Sequence, residues 1–131
     1  MRQARRADLP CPCDSGQTYG ACCGPFHEGA AAPSPEALMR SRYSAYVLGL
    51  IDYLLLTWHP STAPGELDLQ SVKWLGLEVR HAASKGDAGV VEFVARCRGS
   101  QGRAERMAET SRFVREQGRW YYIDGQVSEP G

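Results

Sequence analysis

Lysine is scarce, at Lys73 and Lys85 alone. Neither charge is in excess. Basic and acidic residues number 15 each, for a formal net charge of +0. No global field therefore draws the chain to nucleic acid, and no acidic surplus argues for disorder. No apolar run approaches the roughly 20 residues of a membrane-spanning helix. Met1-Arg2-Gln3-Ala4-Arg5-Arg6 lacks the apolar stretch of a secretory leader, so the expected location is a reducing cytosol. Histidine is also rare, at 3 residues, and no catalytic residue is assigned. What remains is 131 residues, 43% of them apolar, enough for one domain with a core.

Against these absences, cysteine is concentrated. Cys11, Cys13, Cys22 and Cys23 fall within thirteen residues, and Cys97 stands apart. In a reducing compartment such a cluster reads as a metal site, because Zn²⁺ takes four soft ligands in a tetrahedron. Pro10 and Pro12 stiffen the first arm, Asp14-Ser15-Gly16 supplies a turn, and Gly24-Pro25 a second. The alternative is a free-thiol cluster or a reversible disulfide switch; spacing and compartment favour the metal. His27 is expected beside the knuckle as a packing or hydrogen-bonding residue, and Cys97 as a small buried core residue.

The stretch Cys11-Pro12-Cys13-Asp14-Ser15-Gly16-Gln17-Thr18-Tyr19-Gly20-Ala21-Cys22-Cys23-Gly24 closely resembles the SEC-C motif that ends the SecA translocase motor. The resemblance implies zinc held by Cys11, Cys13, Cys22 and Cys23. SecA carries His at the last of these positions. Cys23 here makes the set all-thiolate, more negative, and more demanding of a cation.

Beyond a small-residue linker at Ala30–Pro33, Ser34-Pro35-Glu36 reads as a helix start. Leu38, Met39, Tyr43, Tyr46, Val47 and Leu50 follow at helical spacing, and Gly49 ends the helix. Asp52 is expected to cap a second short helix through Trp58, stopped by His59-Pro60. The period then changes to two. Leu75, Leu77, Val79 and His81 share one face of a strand. Val91, Phe93, Ala95 and Cys97 share another, opposite Glu92, Arg96 and Arg98. Ser84–Gly89 and Gln117-Gly118 are turns, and about 105–116 and 119–127 are two further strands. Helices followed by a four-strand antiparallel meander indicate an α+β fold.

Several blocks resemble the bacterial YchJ family: Met39–Tyr46, Thr57–Ser61, Trp74–Leu77, Val91–Val94, Glu109–Phe113 and Trp120–Gly125. The resemblance implies a SEC-C zinc knuckle over 1–30. A cone-shaped domain of the nuclear-transport-factor-2 (NTF2)-like kind would follow over 31–131, its N-terminal helices packed on a curved sheet around a concave pocket. It implies no reaction. Two departures stand out: no second SEC-C motif follows at the C-terminus, and Ala108 stands where family members often carry His before the Glu-x-Ser stretch.

The polar residues expected to line the pocket are Arg40, Arg42, Tyr43, Tyr46, Glu92, Glu109, Ser111 and Asp124. Ion pairing of Arg40 or Arg42 with Glu92 or Glu109 is the expected structural outcome, and a carboxylate acting as general base is the functional one. Trp58, Trp74 and Trp120 are expected in the core. Residues 96–119 carry seven arginines against three glutamates, and Arg2, Arg5 and Arg6 add a basic tail. A solvated hairpin surface is the favoured reading there, and nucleic-acid binding is not expected. The leading functional reading is a protein-interaction module with a structural zinc. By motif analogy with the SecA tail its partner would be a chaperone, an unfolded chain or the ribosome. Next to it stands a small-molecule binder or enzyme using the pocket. A filled pocket favours the first and an open one with convergent polar groups the second.

Overall fold

The computed structural model describes residues 6–69, 72–99 and 102–128. Arg2 and Arg5 of the basic tail lie outside them. Helices come first: α1 (Gly24–His27), α2 (Pro35–Leu48) and α3 (Ile51–Leu56). Four strands follow, β1 (Lys73–Lys85), β2 (Ala88–Arg98), β3 (Ala104–Glu116) and β4 (Arg119–Ser128), in an antiparallel sheet of order β1-β2-β3-β4. This is the expected α+β arrangement. No helix is long and apolar enough to cross a membrane among the described residues.

The start of α2 follows from three adjacent residues. Ser34 Oγ accepts from the Ala37 amide at 3.1 Å, Pro35 occupies the first turn, and Glu36 meets the positive end of the helix. Gly49 closes it in the left-handed region. The second helix departs from expectation at both ends. Leu50, not Asp52, holds the N-cap position, and the helix stops at Leu56, short of Trp58. Thr57 Oγ1 folds back onto the Tyr53 carbonyl at 2.8 Å, and the chain leaves the helix to run along β4. There Tyr122 N donates to Thr57 O and His59 N to Tyr122 O, at 2.8 and 2.7 Å, covering that sheet edge.

β1 does not keep the single alternation its sequence suggests. Bulges between Trp74 and Gly76 and between Val79 and His81 re-aim its ends. Leu75 is consequently exposed, and His81 falls opposite the outward-facing Glu92, while Leu77 and Val79 face the core. The β3–β4 turn tightens to Gln117-Gly118, both at positive φ, as a two-residue hairpin of the right-handed twist requires.

One core joins α2 to the sheet: Leu38, Met39 and Tyr43 meet Leu77, Val91, Phe93, Phe113 and Trp120. Cys11, Cys13, Cys23 and Tyr19 belong to the same cluster. Cys97 is only half-buried, near the open end of β2, contrary to expectation. Trp120 is core as expected; Trp58 and Trp74 are half-buried.

Candidate metal centre and ligand cavity

The knuckle folds back on itself through Cys11 N to Gln17 O and Tyr19 N to Leu9 O, at 2.9 and 2.8 Å. This brings the Sγ atoms of Cys11, Cys13, Cys22 and Cys23 within 4.8 Å of one another. The Cys13–Cys22 and Cys22–Cys23 sulfur separations are 3.5 and 4.0 Å. A tetrahedral ion with metal–sulfur bonds of about 2.3 Å needs sulfurs about 3.8 Å apart, and the two separations bracket that value. The cluster can hold a metal ion, and four thiols would supply all four positions of a tetrahedral one.

Electrostatics point the same way. Hydrogen bonds from the Cys13 and Cys23 thiols hold Cys11 far below the usual thiol range. The same contacts, with Cys11 first, push Cys23 far above it, and burial pushes Cys22 up. A cation among the sulfurs would favour the thiolate form of the thiols that their surroundings push up.

α2 supports this cluster from one side. Ser44 Oγ donates to Cys23 Sγ at 3.3 Å and lies 3.6 Å from Cys11 Sγ. Arg40 Nη1 donates to the Cys13 carbonyl at 2.9 Å while its Nε pairs with Glu36 at 3.0 Å. His27 is not a ligand. Its Nε2 donates to Ser41 O at 2.8 Å, its Nδ1 takes the Tyr19 hydroxyl, and burial pushes its pKa down. Asp14, at φ 62, forms the expected turn and does more: its Oδ2 accepts from Leu77 N at 3.0 Å, tying the knuckle to β1.

The opposite face of α2 borders a cavity of about 250 Å³. Met39, Tyr43, Trp74, Phe93, Met107 and Phe113 form much of its wall, and Arg42, Tyr46, Glu109, Ser111 and Tyr122 supply polar groups. Trp74 therefore lines a cavity, with Tyr43 and Tyr46 ring centroids 5.6 and 5.9 Å away. Burial pushes Tyr43 and Tyr122 up to about 12, aided by the negative charge of Asp14 and Glu109 respectively.

Three expected residues lie elsewhere. Arg40 faces the knuckle, because positions two apart on a helix point to different sides and Arg42 takes the cavity side. Glu92 is exposed on the outer face of β2, where strand alternation puts it opposite Val91 and Phe93. Asp124 pairs with Arg112 at the surface, at 2.6 Å. The expected ion pairs between helix arginines and strand glutamates do not form among the described residues. Arg42 instead donates from Nη1 to Leu54 O at 2.8 Å and Thr57 Oγ1 at 2.7 Å. Its guanidinium carbon lies 5.1 and 4.5 Å from the Trp58 and Tyr122 ring centroids. Burial pushes its pKa down, yet a guanidinium stays protonated. Glu109 Oε2 accepts from Ser111 Oγ at 2.7 Å. Its carboxylate packs directly on Gly125, where any Cβ would overlap it. Ala108 sits on the other face of β3 from Glu109, so a side chain there points away from the cavity.

A profile described as "YchJ, middle NTF2-like domain" matches residues 34–125, and one described as "SEC-C motif" matches residues 9–25. The chain belongs to the YchJ family. Among its relatives, a UPF0225 protein of Chromobacterium violaceum is 57% identical over 137 residues, covering 98% of this chain and 100% of that one. One from Xanthomonas campestris is 54% identical, covering 89% and 94%. The solution structure of a SEC-C motif containing protein from Rhodopseudomonas palustris superposes with TM-score 0.80 at 39% identity, covering 91% of this chain and 98% of that one. A crystal structure of such a protein from Psychrobacter arcticus gives 0.78 at 28%, covering 96% and 86%.

Within this YchJ-family chain, residue-type reasoning passed over Ser44 beneath the thiols and Met39, Phe93 and Met107 in the cavity. The signal for Ser44 was helical phase: it lies one turn after Arg40 on the knuckle side. His59, expected only to stop the second helix with Pro60, also makes side-chain contacts. Its Nε2 meets Glu116 at 2.9 Å and its Nδ1 meets Ser61 Oγ at 2.7 Å, pinning 59–61 to the end of β3 outside the cavity.

The arginine-rich stretch is largely matched by partners. Arg112 and Arg115 pair with Asp124 and Asp87, and Arg98 and Arg119 donate to the carbonyls of Gly102 and Gly29.

Proposed function

We propose that the protein holds one structural zinc ion through Cys11, Cys13, Cys22 and Cys23 and takes a small organic ligand in the cavity between α2 and the sheet. The soft, closed thiolate set favours zinc over harder ions and leaves no position for an activated water. Zinc then supplies a cross-link that orders the knuckle. A reduced thiol set suits the cytosol.

The observation that carries the ligand reading is the open space itself. About 250 Å³ remains, and Arg42, Tyr46, Glu109, Ser111 and Tyr122 converge on it from helix and strands. Filled by its own aromatic side chains, the same site would favour an interaction module instead. Elemental analysis of protein purified without chelator is expected to give about one zinc per chain. A fragment screen followed by amide and aromatic NMR is expected to shift resonances of Trp74 and Phe113. Absence of zinc defeats the first half of the reading; fragments that never shift the cavity defeat the second.

The interaction-module reading keeps one observation in its favour. Leu56 is 72% exposed beside a groove lined by Phe26, Ala31, Leu38, Tyr53 and Trp120. An apolar segment of an unfolded chain suits such a surface. Binding of an unfolded model polypeptide that Leu56→Lys abolishes would support it, and binding unaffected by that change would remove it.

A further inference from the structure

Two formal charges of opposite sign border the cavity, Arg42 from α2 and Glu109 from β3. Among the ion pairs of the described residues, neither takes part. Arg42 spends Nη1 on Leu54 O and Thr57 Oγ1. The guanidinium also meets the Tyr46 hydroxyl, itself on the cavity wall, and its Nε and Nη2 form no further hydrogen bond among the described residues. Glu109 spends Oε2 on Ser111, and its Oε1 accepts from no described residue. Among the described residues, the fully buried polar side-chain atoms without a partner are Trp58 Nε1 and Trp120 Nε1. The free atoms of Arg42 and Glu109 are not among them, so they are not sealed off, and both residues line the cavity.

An unpaired charge in apolar surroundings is unfavourable until a partner meets it. Either charge could have been avoided or paired within the chain. Instead Ser111 and Gly125 hold the Glu109 carboxylate in place, and the Trp58 and Tyr122 rings hold the guanidinium. A ligand with one charge satisfies one group and leaves the other. A ligand bearing a carboxylate and an ammonium satisfies both: the guanidinium fork suits the carboxylate, and the Glu109 carboxylate suits the ammonium. The rest of the wall, including Met39, Phe93, Met107 and Phe113, is apolar. About 250 Å³ lies below the usual size of drug-sized pockets and admits one small metabolite.

Resting on the reading of the cavity as a ligand site, we infer that it binds a free α-amino-acid-type zwitterion with an apolar or aromatic side chain, carboxylate toward Arg42 and ammonium toward Glu109.

The test uses the zinc-loaded full chain, titrated by NMR with L-phenylalanine, L-methionine, N-acetyl-L-phenylalanine, L-phenylalaninamide and uncharged phenylethanol. At least one of the free amino acids is expected to shift Trp74 and the Glu109–Phe113 amides, with the acetyl and amide derivatives of L-phenylalanine tenfold or more weaker. Glu109→Gln is expected to weaken the free amino acid tenfold or more and to leave the acetyl derivative unchanged. If Glu109→Gln does not fold, the ligand series on the natural chain decides. Blocked or uncharged probes that bind as well as the free amino acids overturn this inference and leave the cavity a ligand site. If no probe of the series shifts the cavity, the inference falls; if the broader fragment screen also fails, so does the reading beneath it.

Discussion

The knuckle and the cavity are built on opposite faces of the same helix, and they are held together differently. On one face of α2, Arg40, Ser41 and Ser44 meet the knuckle through short polar contacts to a carbonyl, a histidine and two thiols. On the other, Met39, Tyr43 and Tyr46 meet strand side chains and leave space between them. The knuckle is short of apolar area and depends on its ligand atoms converging. The sheet side has apolar area to spare and tolerates a void. A segment without a core of its own needs a cross-link to order it, whereas a segment with one can keep an opening.

Metal removal should separate the two regions most strongly. Chelation is expected to abolish amide protection over about residues 9–27 while β2 and β3 stay protected, because the sheet keeps Leu77, Val91, Phe93 and Phe113 packed. The melting temperature should fall as well, since Cys11, Cys13 and Cys23 share the common core. Hydrogen exchange with and without chelator measures this. Loss of protection across the whole sheet would mean that the two regions are one cooperative unit.

The two arginines sharpen the comparison at single-residue scale. Arg42→Ala takes from the Leu54 carbonyl the shorter of its two side-chain donors, leaving Thr57 Oγ1 at 3.3 Å, and removes the cation between two aromatic rings. The expected loss is about 2–4 kcal/mol in denaturant unfolding, less than for a broken buried ion pair because no carboxylate is stranded. Arg40→Ala removes a part-exposed pair with Glu36 and one bond to Cys13 O. About 1 kcal/mol is expected, with a larger effect on zinc retention than on the sheet. A reversed order would place the greater stabilisation on the knuckle side.

The smallest effect concerns pH. Burial holds the folded-state pKa of His27 below its ordinary value. The unfolded chain therefore takes up the proton first as pH falls. Stability contributed by neutral His27 is present above about pH 6.5 and declines below it, by at most about 1.4 kcal/mol per pH unit. His27→Gln should flatten the stability profile between pH 6.5 and 5 relative to the natural chain. Identical slopes would show that thiol protonation alone governs acid loss.

Much of this molecule could be read before any coordinates. Ser34-Pro35-Glu36 and Gly49 mark both ends of α2 by local chemistry, and Gln117-Gly118 marks a two-residue turn that is realised. Four cysteines spaced as two pairs read as a metal site, and their sulfurs do converge. Readings failed where a local pattern was interrupted or where phase was neglected. Two bulges reset β1, which no alternation shows. Arg40 was grouped with Arg42 by residue type, although their positions on a helix send them apart.

The sequence by itself determined the order of elements, the thiol cluster and the apolar stripes, because caps, turns and periodicity act between residues close along the chain. Only the tertiary structure decided that Arg42 caps α3 instead of pairing with a glutamate, and that Asp14 ties the knuckle to β1. It alone brought Glu109 over Gly125 beside an unfilled space. These outcomes depend on which surfaces meet across tens of residues, and packing geometry sets that where spacing along the chain cannot.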